Sequence, residues 1–69
     1  MNYKFTVKQA RAYRGMTVSE MAEKIGLSSA SYHRQESNPQ NISMELASKI
    51  STVLNIPADD LIFLPSVSL

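Results

Sequence analysis

The stretch Thr17-Val18-Ser19-Glu20-Met21-Ala22-Glu23-Lys24-Ile25-Gly26-Leu27-Ser28-Ser29-Ala30-Ser31-Tyr32-His33-Arg34-Gln35-Glu36 decides how this chain folds. It opens with a capping box: the Thr17 hydroxyl can accept from the third helical amide while Glu20 reaches back, and Met16 can staple onto Met21. A helix therefore runs over about 18–25. Gly26 breaks it, because a glycine enters the left-handed region without a Cβ penalty. Leu27 turns inward, and Ser28 caps a second helix over about 29–36 with Tyr32 as its apolar anchor. Ala22, Gly26 and Tyr32 stand at A-x3-G-x5-Y spacing. The small residue suits a close helix crossing, the glycine a tight turn, and the aromatic ring the angle between the two helices.

Such a pair is a helix-turn-helix, which holds its second helix proud of the body so that the exposed face can enter a major groove about 12 Å wide. The same start and stop signals recur on either side. Thr6 and Gln9 form another capping box, Phe5 can staple onto Ala10, and a helix over about 6–14 ends at Gly15. Asn38-Pro39 forces extended backbone after the recognition helix. Ser43 opens a helix over about 44–54, with Met44, Ala47, Ile50, Val53 and Leu54 at three-and-four spacing and Asn55 as a left-handed exit. Pro57, Asp59 and Asp60 then suit the start of a fifth helix over about 58–63, with Leu61, Ile62, Phe63 and Leu64 as its apolar residues and Pro65 as its stop. No strand alternation persists. The expected fold is all-α, a five-helix bundle forming one domain over residues 1–69.

Composition narrows the function. A chain of 69 residues has room for one thin core and none for a catalytic domain beside it. With no cysteine and a single histidine, His33, neither a disulfide framework, a metal site nor a Ser-His-acid relay can be assembled. The expectation is a binding module, with no enzymatic activity, no metal and no cofactor. No apolar run approaches the roughly 18 residues of a membrane span and the amino end lacks a signal-like segment, so a cytoplasmic location is expected. The formal charge of +1 gives nucleic-acid binding no support by itself, but Lys4, Lys8, Arg11 and Arg14 make the amino-terminal part locally basic. Read alone, that basic run is a solvated helix face.

The order and spacing of Val7-Lys8-Gln9-Ala10-Arg11, Gly15-Met16-Thr17, Glu20 to Ser28, Tyr32, Glu36 and Leu54-Asn55-Ile56-Pro57-Ala58-Asp59-Asp60-Leu61 resemble the Cro and lambda-repressor type, or Xre-like, helix-turn-helix family. The resemblance implies a lambda-repressor-like bundle that binds a double-stranded DNA operator as a homodimer, commonly as a phage or bacterial transcriptional switch. By position, Ser29, Ala30, His33 and Arg34 fall among the base-reading side chains, and Thr17, Ser28, Lys8 and Asn41 where phosphates are contacted. An arginine such as Arg34 can fork onto guanine O6 and N7, and Ala30 can touch a thymine methyl. The resemblance also makes Arg11 and Glu36 an internal ion pair. In this family the fifth helix and the residues after it often form the subunit contact, which makes Phe63, Leu64 and Val67 interface candidates.

Three departures weaken the DNA grip. Val18 stands where many relatives place a phosphate-clamping glutamine, the loop Ser37-Asn38-Pro39-Gln40-Asn41 carries no charge, and Gln35 occupies a usually apolar position. Every phosphate left without a protein partner lowers the affinity and flattens its salt dependence. The departures keep open a second reading: a protein-interaction module that binds and modulates another regulator, in the manner of a repressor modulator or an antitoxin.

Overall fold

A computed structural model describes residues 4–63. Its elements in chain order are β1 (Phe5–Thr6), α1 (Val7–Tyr13), α2 (Val18–Ile25), α3 (Ser29–Ser37), a 3-10 turn (Pro39–Asn41), α4 (Met44–Leu54), a second 3-10 turn (Ala58–Asp60) and β2 (Leu61–Ile62). Both expected capping boxes are formed: Thr6 Oγ1 accepts from the Gln9 amide at 3.1 Å, and Thr17 Oγ1 from the Glu20 amide at 3.1 Å. Ser28 and Ser43 cap α3 and α4 through the amides of Ser31 and Leu46.

The turn between α2 and α3 rests on Gly26 at φ +89°. A Cβ added there would meet nothing within 4 Å, so conformation rather than crowding selects glycine. The Leu27 amide then reaches back to the Ala22 carbonyl at 2.9 Å, closing the helix end. Asn55 exits α4 at φ 54°, a conformation its short polar side chain tolerates.

The expected fifth helix over 58–63 is absent. Ala58–Asp60 completes one 3-10 turn, closed by the Asp60 amide on the Pro57 carbonyl at 2.8 Å. The chain then extends into β2, which pairs in parallel with β1, Phe5 opposite Leu61 and Thr6 opposite Ile62. The apolar run Leu61-Ile62-Phe63 has no period that separates strand from buried helix. What decides is the partner: a six-residue helix is marginal alone, whereas β-branched Ile62 and aromatic Phe63 suit an extended segment that also pairs the backbone of the amino-terminal strand. Phe5 packs against the core cluster, and its ring stacks on Tyr13 with centroids 5.3 Å apart.

The core gathers from every helix. Val7, Ala10, Met21, Ala22, Tyr32, Ile50 and Leu54 are each at most 1% exposed, and Ile25, Ile56 and Leu61 complete the cluster. α2 packs most extensively on α3, with Ala22 and Tyr32 both in the core. Burial pushes the Tyr32 phenol up, the nearby Glu36 carboxylate raises it further, and the hydroxyl stands close to the Arg11–Glu36 pair without completing a well-aligned hydrogen bond. A buried hydroxyl without an aligned partner costs desolvation that phenylalanine does not, so Tyr32→Phe is expected to leave stability unchanged or raise it by about 1 kcal/mol in urea denaturation. A loss of about 2 kcal/mol would mean that the hydroxyl is bonded in solution. No helix among the described residues is long and apolar enough to cross a membrane.

Candidate nucleic-acid interface

One face of α3 is left outside. Ser29, Ala30, His33, Arg34 and Ser37 are exposed while Tyr32 is buried and Gln35 and Glu36 are half-buried. At 3.6 residues per turn, the exposed five span roughly 140° of the helix circumference. Small side chains at 29 and 30 and long ones at 33 and 34 make a surface that can approach a groove floor at one end and reach into it at the other.

Ser29 is not a free hydroxyl. Its Oγ lies 3.2 Å from Ser19 Oγ on α2, so the start of α3 is tied to the start of α2. Ser19 carries no signal in the sequence, because nothing in the spacing shows that two serines ten positions apart meet. Ser28 Oγ and Thr17 Oγ1 each accept a capping amide, which leaves each hydroxyl hydrogen able to donate outward.

Beside this face is a polar groove of about 420 Å³ lined by Lys8, Val18, His33 and Ser37, with Arg11 and Glu36 in its wall. It brings Lys8, a phosphate candidate, next to His33, a base candidate, at the start of α2. The Thr17 amide donates to Glu20 Oε1 and the Glu20 amide to Thr17, so the first-turn amides of Val18 and Ser19 are the ones with no acceptor inside the helix. Val18 thus supplies a backbone donor where its side chain supplies none. Asn41 ends the 3-10 turn, exposed, and does not line this groove.

The amino-terminal basic run is not a uniformly solvated face. Arg11 forks onto Glu36, Nε to Oε2 at 2.8 Å and Nη2 to Oε1 at 3.0 Å, and its Nη1 donates to the Met16 carbonyl at 2.7 Å. Arg14 donates to the carbonyls of Leu54 and Asn55 at 2.7 and 3.1 Å, holding α1 to the carboxyl end of α4 where a cation complements the helix dipole. Lys49 stands 3.8 Å from Glu45, an exposed pair of little energetic weight. Lys8, Lys24 and Arg34 are exposed and make no ion pair among the described residues. Two of the four amino-terminal cations are therefore taken up by the fold. Of the expected subunit contacts, Phe63 is half-buried at the end of β2, and Leu64 and Val67 lie outside the described residues.

The ion pair sets an acid limit on the site. Burial, the largest single influence, would raise the Glu36 carboxyl, but the hydrogen bonds and charge of Arg11 together with the nearby Tyr32 hydroxyl and His33 outweigh it and hold the group below its ordinary 4.5. Hydrogen bonds from Thr17 lower Glu20 as well. Both folded values lie under the unfolded ones, so their contribution is complete above about pH 4.5 and is lost as pH falls through the folded values. Thermal melts followed by circular dichroism are expected to be flat above about pH 5 and to drop below about pH 4, with a shallower drop for Glu36→Gln. Equal melting temperatures at about pH 3 and about pH 6 would refute this.

Residues 7–61 match the helix-turn-helix family of Cro/C1 type. No curated protein and no solved structure gives a significant match to the chain. Family members are typically non-catalytic. With its capped α2, glycine turn, plugged helix angle and outward α3, the chain belongs to the Xre-like helix-turn-helix family, a DNA-binding class of transcriptional regulators.

Proposed function

We propose that this protein is a sequence-specific, Cro-like repressor that occludes a promoter in the cytoplasm by binding a two-fold symmetric operator as a homodimer. The observation that carries the reading is the exposed α3 strip lying beside a groove lined by Lys8 and by Val18, the first residue of α2. In this arrangement Arg34 forks onto a guanine, Ala30 meets a thymine methyl, and Ser29 and His33 make looser base contacts. Lys8, Thr17 and Ser28 hold phosphates around the start of α2 and α3, and Asn41 holds one from the loop. Phe63, Leu64 and Val67 supply the subunit contact.

A second reading has its own support. With Arg11 and Arg14 bonded internally, Val18 at the start of α2 and an uncharged loop after α3, few cations face outward for phosphates. A module that binds another regulator through the small-residue face of α3 needs none.

Selection of bound duplexes from a randomised DNA pool separates the two. Enrichment of a two-fold symmetric motif, with affinity falling steeply as salt rises, supports the operator reader. Folded protein that enriches nothing, yet holds a regulator at an affinity indifferent to salt, supports the interaction module.

A further inference from the structure

The hydroxyls of Ser19 and Ser29 join the second residue of α2 to the first residue of α3, 3.2 Å apart, and both residues are exposed. Either oxygen can be the donor. Each hydroxyl carries one hydrogen, so the direction of the bond between them fixes what each has left to offer outward. A free serine turns to suit a donor or an acceptor and reads bases loosely, whereas a serine whose hydrogen is already placed does not.

The surroundings of the two ends differ. Ser19 lies in the first turn of α2, where the Val18 and Ser19 amides have no acceptor within the helix. A DNA phosphate held there offers acceptors only, so a hydroxyl beside it must donate. Ser29 stands instead on the exposed strip of α3 with Ala30, His33 and Arg34, where base edges offer donors as well as acceptors. With the Ser19 hydrogen on phosphate, the bond between the serines runs from Ser29 to Ser19. Ser29 then turns a lone pair, and no hydrogen, toward the base edges. The bases that present a donor in the major groove are adenine, through N6, and cytosine, through N4. Water competes for both hydroxyls in the free protein, and its exclusion by the duplex strengthens and polarises the chain of bonds.

We infer that Ser19 is a positioning residue for base recognition: it transmits the direction set by a phosphate to Ser29, which accepts from adenine or cytosine at one position of each half-site. This assignment rests on the operator reading above and adds to it a residue outside α3 and a class of base.

The test is selection from a randomised duplex pool with the parent, Ser19→Ala, Ser29→Ala and Ser19→Thr, each first shown to be folded by circular dichroism. The parent is expected to prefer adenine or cytosine over guanine or thymine by roughly fivefold at one position, the net worth of one neutral hydrogen bond. Ser19→Ala lets the Ser29 hydrogen turn outward, so guanine and thymine become acceptable there while the rest of the motif persists. Ser29→Ala is expected to lose the preference at the same position, and Ser19→Thr, which keeps a hydroxyl, to retain it. The salt dependence of all three variants should equal that of the parent, since neither serine neutralises a phosphate. A motif that Ser19→Ala leaves unchanged, or a parent that prefers guanine or thymine where Ser29 acts, overturns the assignment and leaves the operator reading standing. A folded parent that enriches no motif overturns both.

Discussion

Arg11→Met is expected to destabilise the fold by about 3 kcal/mol in urea denaturation, because it leaves the Glu36 carboxylate buried without its cation. The side chains of Arg11 and Glu36 are only 14% and 5% exposed, so solvent replaces little of what is lost. The Met16 carbonyl loses its guanidinium donor in the same step. A domain of this length has only about 3–10 kcal/mol in total, so a melting temperature more than about 10 °C lower is the accompanying sign. The double variant Arg11→Met with Glu36→Leu is expected to recover most of the loss, since removing both charges also removes the cost of burying them. A single variant that loses less than about 1 kcal/mol would show that the pair is solvated in solution. The same result bears on DNA-binding assays. Loss of binding in an Arg11 variant has to be separated from loss of folding before it is read as a lost DNA contact.

Arg34→Ala is expected to cost about 1–3 kcal/mol of discrimination at a single base pair, or roughly 5- to 150-fold, while other positions of the selected motif persist. The guanidinium has no carboxylate partner among the described residues, so its removal leaves no buried charge behind. Circular-dichroism melts of parent and variant should therefore coincide within a few degrees. Lys8→Ala is the contrasting control. As a phosphate contact it should weaken all duplexes alike and reduce the salt slope by about 1, without changing the motif. If Arg34→Ala instead weakens every duplex equally, the side chain contacts phosphate. If it changes nothing, α3 does not read bases through it.

The outcome of these two experiments depends on a distinction between cations that the sequence blurs. Lys4, Lys8, Arg11 and Arg14 follow one another at three- and four-residue spacing, and periodicity alone assigns them a common outward face. Arg11 meets Glu36 across 25 positions and Arg14 meets the end of α4 across 40. The resemblance to a known family is enough to suggest the first of these contacts. The second leaves no signal, since a backbone carbonyl acceptor has no trace in residue identity. The tie between Ser19 and Ser29 is invisible for a related reason: serine is a common capping and surface residue, and its pairing depends on how α2 and α3 cross.

Elements set by neighbouring residues are legible in the sequence. Thr6 with Gln9 and Thr17 with Glu20 cap α1 and α2, Gly26 takes the left-handed turn, and the three-and-four spacing from Met44 to Leu54 shapes α4, because each of these interactions closes within about one helical turn. The segment after Pro57 follows a different rule. Its proline and acidic residues suit a helix start, yet Leu61 and Ile62 extend to pair with Phe5 and Thr6 from the other end of the chain. A short helix gains only a few internal hydrogen bonds, whereas the strand gains a partner for its backbone and buries Leu61 in the core, so the tertiary contact outweighs the local signal. Local chemistry therefore writes α1 to α4 and the turn that presents α3. The long-range packing of the folded chain decides how the carboxyl-terminal segment lies and which arginines remain free to meet DNA.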